Sequence, residues 1–145
     1  MSNPNHNTKR YICQLAICWV ICCNVIAQAQ LKVTVLPTKI ADQKAVVEMK
    51  IKNDFAAQVE SARAICFLLD AQGKLVGESA KWVIGGIKHR AALEAKSEIS
   101  FNFVITGNQP FTTTNLTAKV NFGRIVLEGE KLADPKIDVQ IINAN

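Results

Sequence analysis

The residues able to carry out covalent chemistry are few once the apolar N-terminal segment is set aside. Beyond residue 29 the chain holds one cysteine, Cys66, and one histidine, His89. A cysteine nucleophile needs a neighbouring base or another feature that favours its thiolate. Cys66 stands in the apolar run 64–68, and no spacing pattern places His89 beside it. We therefore interpret Cys66 as a small buried apolar side chain.

The acidic residues also lack the spacing of a catalytic or metal site. They are scattered along the chain, and no pair matches a recognisable acid/base motif. The sequence contains no Gly-rich phosphate loop, no calcium-binding loop and no His-x-x-x-His pattern. We expect no enzymatic activity, no cofactor and no metal.

Two features could form a binding surface. Lys88, His89 and Arg90 are the densest basic cluster and could bind an anionic glycan, a surface polymer or phosphate. A solvated loop is the simpler interpretation, because three charges do not define a specific site. Trp82 follows Lys81 and could stack on carbohydrate, although its apolar strand neighbours favour a place in the core. These four candidates are Trp82, Lys88, His89 and Arg90.

A glycosylation sequon begins at Asn115, which is followed by Leu116 and Thr117. It would act only in a eukaryotic secretory pathway. Its predicted place at the start of a strand weakens it further.

The hydrophobic pattern predicts strands. Apolar and polar residues alternate strictly in 45–53, 99–106, 115–122 and 137–142. Less regular strands are expected at 31–36, 62–69 and 75–84. Strict alternation indicates one buried and one solvated face, which is typical of antiparallel sheets.

Details of the pattern predict how these strands are arranged. The run 62–69 is apolar on both faces apart from Arg63, which indicates a central strand. Asp70 to Gly73 forms a turn, because Asp bonds its own backbone and Gly accepts a positive φ. The alternation slips by one residue at Gly123-Arg124, which indicates a β-bulge or, less favourably, a two-residue hairpin. We expect 90–96 to be a connection rather than a helix.

About seven strands with regular turn signals predict an all-β, immunoglobulin-like antiparallel β-sandwich. A small barrel is the alternative.

The N-terminus predicts export. A basic pair ends the first ten residues, 11–26 are apolar apart from Gln14 and Asn24, and Ala27 and Ala29 form a small-x-small cleavage site before Gln30. We predict a cleavable signal peptide at 1–29 and a single domain at 30–145. A retained membrane anchor is the rival, but a spanning helix needs about 20 apolar residues.

The signal segment also accounts for most of the cysteines. They serve as apolar filler there, not as a disulfide framework. A bacterial lipid anchor would need a small residue before its cysteine, and Ile17, Ile21 and Cys22 stand there instead. Ordinary processing is therefore favoured over a lipid-anchored start at Cys23. The four signal cysteines are Cys13, Cys18, Cys22 and Cys23.

The charge balance after processing is mild. Removing 1–29 takes Lys9 and Arg10 from 17 basic residues and leaves all 12 acidic ones, so the net charge falls from +5 to +3. Such a balance, together with export, argues against a nucleic-acid partner.

The middle of the chain carries four linked motifs. They are Lys50-Ile51-Lys52-Asn53 at a strand end, Phe67-Leu68-Leu69-Asp70 at the end of the next strand, Gly73-Lys74-Leu75-Val76, and Leu93-Glu94-Ala95-Lys96-Ser97-Glu98 before Phe101. This pattern resembles FxLYD-type domains and related exported bacterial immunoglobulin-like modules over about residues 46–105. Their pattern is a K-N-like pair, F-x-L-Y-D, a D-x-x-G turn, and L-x-P-G-[DE] before F-x-V.

Two motifs depart from this family pattern. The second is one residue shorter and lacks the Tyr, and the last lacks the Pro and the Gly. The resemblance implies an immunoglobulin-like fold and an envelope location, with no catalytic residues.

Together these features predict an exported, periplasmic or extracellular, non-enzymatic module that binds another envelope or secreted protein or a surface ligand. We expect no stable membrane span after processing. Two alternatives remain open. One is a small secreted hydrolase with an unrecognised site around 88–96, and the other is a structural envelope protein that assembles through a sheet edge.

Overall fold

A computed structural model describes residues 28–144. These residues form nine strands and one short helix: β1 Leu31–Val35, β2 Lys39–Ala41, β3 Lys44–Asn53, β4 Val59–Leu69, β5 Leu75–Gly85, β6 Glu98–Thr106, β7 Thr117–Leu127, β8 Lys131–Ala133, α1 Pro135–Asp138 and β9 Val139–Asn143. The predicted signal 1–29 lies outside the described residues, apart from Gln28 and Ala29. Within 28–144, no helix is long and apolar enough to span a bilayer.

The strands build two sheets that pack face to face. In the first sheet β3 pairs with β6 on one side and with β1 and β2 on the other, and β9 pairs with β1. The second sheet has the order β5-β4-β7-β8, so β4 is central, as its apolar run predicts. The predicted all-β sandwich is confirmed, and the alternative barrel does not form. One pair, β1 with β9, is parallel, which a purely antiparallel prediction missed.

The core lies between the sheets and uses the predicted alternation. The first sheet contributes large side chains such as Met49 and Phe103, and β4 contributes small ones such as Ala62 and Ala64. These side chains belong to one continuous cluster of buried apolar residues between the two layers.

β-Bulges interrupt the pairing of β4 with both of its neighbours, β5 and β7. Arg63 of β4 pairs with Arg124 while Ala64 pairs with Phe122, so Gly123 is an extra residue in β7. This confirms the predicted bulge and rules out the hairpin, because the strand continues to Leu127. A second bulge lies in β5, where Arg63 pairs with Trp82.

The C-terminal part departs from the predicted pattern. The strand expected at 137–142 begins only at Val139, because Asp134 caps a helical turn by accepting a hydrogen bond from the Lys136 N–H at 2.9 Å. Ile137 is 60% exposed, and Ile141, expected on a buried face, is 37% exposed. The reason is that β9 is an edge strand with one neighbour.

The connection between β5 and β6 crosses from one sheet to the other without a helix, as predicted for 90–96. Leu93 is buried there and exchanges two backbone hydrogen bonds of 2.9 Å with Val59. Asn53, at the end of β3, donates from its side-chain amide to the carbonyl oxygens of Leu93 and Glu94 at 3.1 and 3.0 Å. The connection is therefore fixed to both sheets.

Candidate functional site

Trp82 lies on the outer face of the second sheet, so the core position favoured by its neighbours is wrong. It is half-buried and lies outside the core cluster. The β5 bulge is the cause. Ala62 pairs with Ile84 and Arg63 with Trp82, which leaves Val83 as the extra residue. Val83 and Ile84 both turn inward and are buried, while Trp82 turns outward.

The indole of Trp82 rests against the backbone of Gly86. A Cβ built on Gly86 would lie 2.3 Å from the indole Cε3 and 2.4 Å from Cδ2. Gly86 also has a φ of +73°, a conformation that other residues rarely adopt. Glycine at this position therefore allows the ring to lie close to the chain with its remaining surface exposed.

Trp82 lines a groove of about 650 Å³ where the edge strands β5 and β6 approach each other. Its size falls within the range of about 300–1,000 Å³ that is typical of small-ligand sites. The apolar part includes Phe101, Val104 and Ile87, and Ile87 is 51% exposed. The full lining is Arg63, Ala80, Lys81, Trp82, Ile87, Arg90, Phe101, Asn102 and Val104.

Three cations line this groove. The Arg90 guanidinium lies over the Phe101 ring, 4.8 Å from its centroid, in a cation–π contact that holds it against the β6 side. Arg63 comes from the neighbouring strand β4, and Lys81 from β5. No acidic residue belongs to the lining. The groove therefore combines positive charge with aromatic surface.

These cations have no carboxylate partner within residues 28–144. The ion pairs of that region all lie on the first sheet and the loop after β3, for example between Lys32 and Asp54 at 2.8 Å. The Lys32 amino group hydrogen-bonds Asp54 and holds the pKa of that carboxyl below its usual value. Because they have no carboxylate partner within residues 28–144, the three cations of the groove are available to bind an external anion.

A second, smaller groove of about 430 Å³ lies on the other side of Trp82. Arg124 lines it, directly across β4 from Trp82, because Arg63 pairs with both of them. Glu60 and Glu130 line the same groove, so its charge is mixed. Trp82 forms the ridge between the two grooves.

Only one residue of the predicted basic cluster lines this groove. Arg90 enters it, whereas Lys88 and His89 are exposed in the preceding turn and are not part of its lining. His89 has a φ of +67°, so the chain turns just before Arg90. Of the four candidate residues, the structure brings together Trp82 and Arg90.

Cys66 and His89 are not neighbours. Cys66 is fully buried in the core, and burial raises the pKa of its thiol to about 11. The turn containing His89 follows Gly85, which pairs with Ser61. Cys66 lies five positions after Ser61 in β4, a distance of about 16 Å along the strand. Within residues 28–144, no group of three or more acidic, His or Cys side chains could hold a metal ion.

The Asn115 sequon lies in a loop rather than at a strand start. Asn115 is exposed, and β7 begins two residues later at Thr117. The structural objection to its modification is therefore wrong, and the side chain is accessible.

Sequence reasoning missed Arg63, Ile87 and Phe101 as groove residues. The sequence contains a signal for only one of these groove residues, Arg63, which is the single charged residue in an otherwise apolar predicted strand. Its proximity to Trp82 depends on the β4–β5 register, which local patterns do not reveal.

Comparisons with known proteins identify no family for this chain. No family model matches it, and no curated protein matches it. One similar solved structure is a protein described as ApaA from Bordetella pertussis, with 13% identity, a TM-score of 0.46, and coverage of 71% of this chain and 80% of that one. Another is a β-glucuronidase of glycoside hydrolase family 2, with 20% identity and a TM-score of 0.38. That match covers 70% of this chain and 10% of the enzyme. Both similarities are too distant to carry a statement about function.

Proposed function

We propose that this protein is an exported, non-enzymatic immunoglobulin-like module that binds another envelope or secreted protein or a surface ligand. The groove beside Trp82 is its binding site. The observation that carries the proposal is the half-exposed indole, held on Gly86 at the rim of a groove with three unpaired cations. Large aromatic side chains at such positions are typical of binding surfaces.

Export is the second part of the proposal, with the mature protein in the periplasm or outside the cell. It is supported by the basic pair, the apolar run and the small-x-small site of residues 1–29. The first strand begins at Leu31, two residues after the predicted cleavage site. Removing the signal would therefore leave every described strand intact. A lipid-anchored start at Cys23 is the alternative.

We also propose a relationship to FxLYD-type modules. Lys96 has a φ of +62° and stands where the family motif has glycine, so the backbone there has the shape that glycine favours. Asn53, the last residue of the K-N-like pair, bonds the same turn through the Glu94 carbonyl. Both observations support the alignment of the motifs.

A photo-crosslinking experiment tests the groove. A benzophenone amino acid is placed at Ile87, which is exposed inside the groove, and the protein is exported in its native cells and irradiated. We expect a discrete adduct at Ile87, competed by excess purified mature protein. The matched control is the same probe at Thr34, on the outer face of the first sheet, where we expect none.

Two results would overturn the binding proposal. Equal adducts at both positions would show that the groove has no special role. Turnover of a hydrolase substrate that disappears in His89→Ala, without a specific adduct, would favour the secreted-hydrolase alternative instead.

The β9 edge supports a second candidate function, assembly with other copies of the chain. β9 is uncharged from Val139 to Asn143, and its outer edge has no partner within residues 28–144. Ile141 and Ile142 are 37% and 47% exposed. The short edge strands β2 and β8 each begin with a lysine, a common protection against edge pairing. The five uncharged residues of β9 lack that protection.

Sedimentation of the mature protein over a range of concentrations tests this candidate. Antiparallel pairing of two β9 strands would give a dimer that Ile141→Lys abolishes. The matched control is Val104→Lys, which adds a charge at an exposed apolar position on β6, 51% exposed against 37% for Ile141. A monomer at all concentrations would exclude assembly through β9.

A further inference from the structure

We infer that the groove beside Trp82 binds an acidic saccharide, a chain of uronic acid residues, and this inference rests on the proposed binding function. It assigns the chemical class of the ligand from the charges, the aromatic surface and the strand edge that form the groove.

The positive charge of the groove favours a ligand that carries several anionic groups. Arg63, Lys81 and Arg90 all line it, and no carboxylate does. A guanidinium presents paired N–H donors that match the two oxygens of a carboxylate. One carboxylate carries a single negative charge and would leave two of the three cations without a partner. A polymer with a carboxylate on each unit can satisfy them together.

The aromatic surface of Trp82 favours a ligand that contains a ring with an apolar face. Trp82 is planar, is supported from below by Gly86, and separates two grooves. The C–H face of a pyranose ring can pack on such an indole while its hydroxyls point away. Asn102 lies in the same lining and offers both a donor and an acceptor to a hydroxyl.

The edge strand argues against an acidic peptide as the occupant. An extended peptide would be expected to add to the free edge of β5 through a regular ladder. The bulge at Val83 interrupts that strand beside Trp82. Lys81 pairs with the buried Ala64, so its side chain leaves β5 on the core-facing side of the sheet. A charged side chain at such a position on an edge strand opposes the addition of another strand. A ligand that needs no backbone ladder is favoured.

The test measures binding of the exported mature protein to polygalacturonate and to alginate by affinity electrophoresis and calorimetry. Fully methyl-esterified polygalacturonate keeps the sugar rings and removes the charge, and polyglutamate keeps the charge and removes the rings. We expect binding to both polyuronates and at least about tenfold weaker binding to the esterified polymer and to polyglutamate.

Variants locate the site. We expect Arg63→Gln, Arg90→Gln and Trp82→Ala each to weaken binding about tenfold, while Trp82→Phe retains most of it. The matched control is Lys50→Gln, which removes an exposed cation from the outer face of the first sheet and should leave binding unchanged. Thermal unfolding of each variant verifies that the sandwich is intact.

Each other result overturns a defined part of the inference. Equal binding of the esterified polymer would show that the ligand need not be acidic. Equal or tighter binding of polyglutamate would show that it need not be a saccharide. If neither polyuronate binds while the Ile87 probe still gives its adduct, the ligand class is wrong and the binding function stands. If the Ile87 adduct is also absent, both proposals fail.

Discussion

Asn53 is the only fully buried polar side chain within residues 28–144. Its amide nitrogen donates to the carbonyl oxygens of Ala57, Leu93 and Glu94, and its oxygen accepts from the Phe55 N–H at 2.9 Å. The side chain thus joins β3, the loop after it and the connection that ends at β6. From the sequence, Asn53 is recognised only as the end of a strand. Its hydrogen-bond partners lie up to 41 residues away, and only the fold brings them to it.

Replacing this side chain should destabilise the sandwich strongly. We expect Asn53→Ala to lower the free energy of unfolding by about 3 kcal/mol, because several backbone groups lose a buried partner. Asn53→Asp should cost a similar amount, since a carboxylate cannot donate to carbonyl oxygens. Urea denaturation measures both. Asn121→Ala, at an exposed site on β7, is the control, and an equal loss there would contradict the assigned role.

Cys66 gives a pH-dependent prediction at the same scale. Burial raises the pKa of its thiol from 9.0 to about 11. Above pH 9 the unfolded chain loses the thiol proton before the folded chain does, so the folded state is progressively disfavoured between pH 9 and pH 11. We expect the urea midpoint to fall more steeply over this range in the native sequence than in Cys66→Ala.

The comparison with Cys66→Ala removes the contribution of lysine titration, which both proteins share. The buried thiol should also resist alkylation at pH 8 until urea unfolds the chain. Rapid alkylation of the folded protein, or identical pH profiles for the two proteins, would show that Cys66 is accessible.

At the scale of the elements, the bulges at Gly123 and Val83 show what local patterns can and cannot predict. The bulge at Gly123 was predicted, because polar and apolar residues on both sides of it reveal the slip in phase. The bulge at Val83 was not predicted. Trp82, Val83 and Ile84 are all apolar, so a shift of one residue does not change the pattern of polar and apolar residues. This unpredicted bulge is the reason that Trp82 points to the surface.

The helical turn α1 illustrates a different kind of miss. Asp134-Pro135 is a typical N-cap followed by proline at the first helical position. That local signal was present, but the alternation of 137–142 led to a strand starting too early. The short strands β2 and β8 were missed because three residues are too few to show a period.

Gly86 gives the prediction at this scale. Gly86→Ala would place a methyl group 2.3 Å from the Trp82 ring at a φ of +73°, so the ring must leave its support. We expect a red-shifted and more readily quenched tryptophan fluorescence, with a loss of about 1–2 kcal/mol in stability from the strained backbone. The readout is specific, because Trp19 is removed with the predicted signal and Trp82 is then the only tryptophan.

The chain offers a matched control in Gly123→Ala. A Cβ at Gly123 meets no atom within 4 Å, and its φ lies outside the left-handed region. We expect its emission to match that of the native protein. If Gly86→Ala left the emission and quenching unchanged as well, the proposed support of the indole would be wrong.

At the scale of the whole molecule, the sequence predicts the class of fold better than the site. Alternation along single strands is enough to predict a two-layer β-structure, because each strand must bury one face. The groove instead depends on which strands are neighbours and in what register. Arg63, Arg90 and Phe101 come together only after three separate elements have packed.

Processing of the whole chain is the last prediction. Gln30 lies within the fold, because its N–H donates to the Asp138 carbonyl at 2.9 Å and its carbonyl accepts from the Asp54 N–H at 2.7 Å. Residues before Gln30 form no described strand. We therefore expect an exported protein whose intact mass starts at Gln30, and whose unfolding free energy matches that of the uncleaved chain within about 0.5 kcal/mol.

Two variants separate cleavage from folding. Ala29→Leu should block the peptidase and retain the signal while leaving the sandwich intact. A chain in which the signal 1–29 is joined directly to Val33 should be exported but less stable, because it loses the buried Leu31 and the Gln30 hydrogen bonds. An acylated start at Cys23 would contradict the predicted cleavage site and favour the lipid-anchored alternative. The fold would be unaffected, since the seven residues from Cys23 to Ala29 precede its first strand.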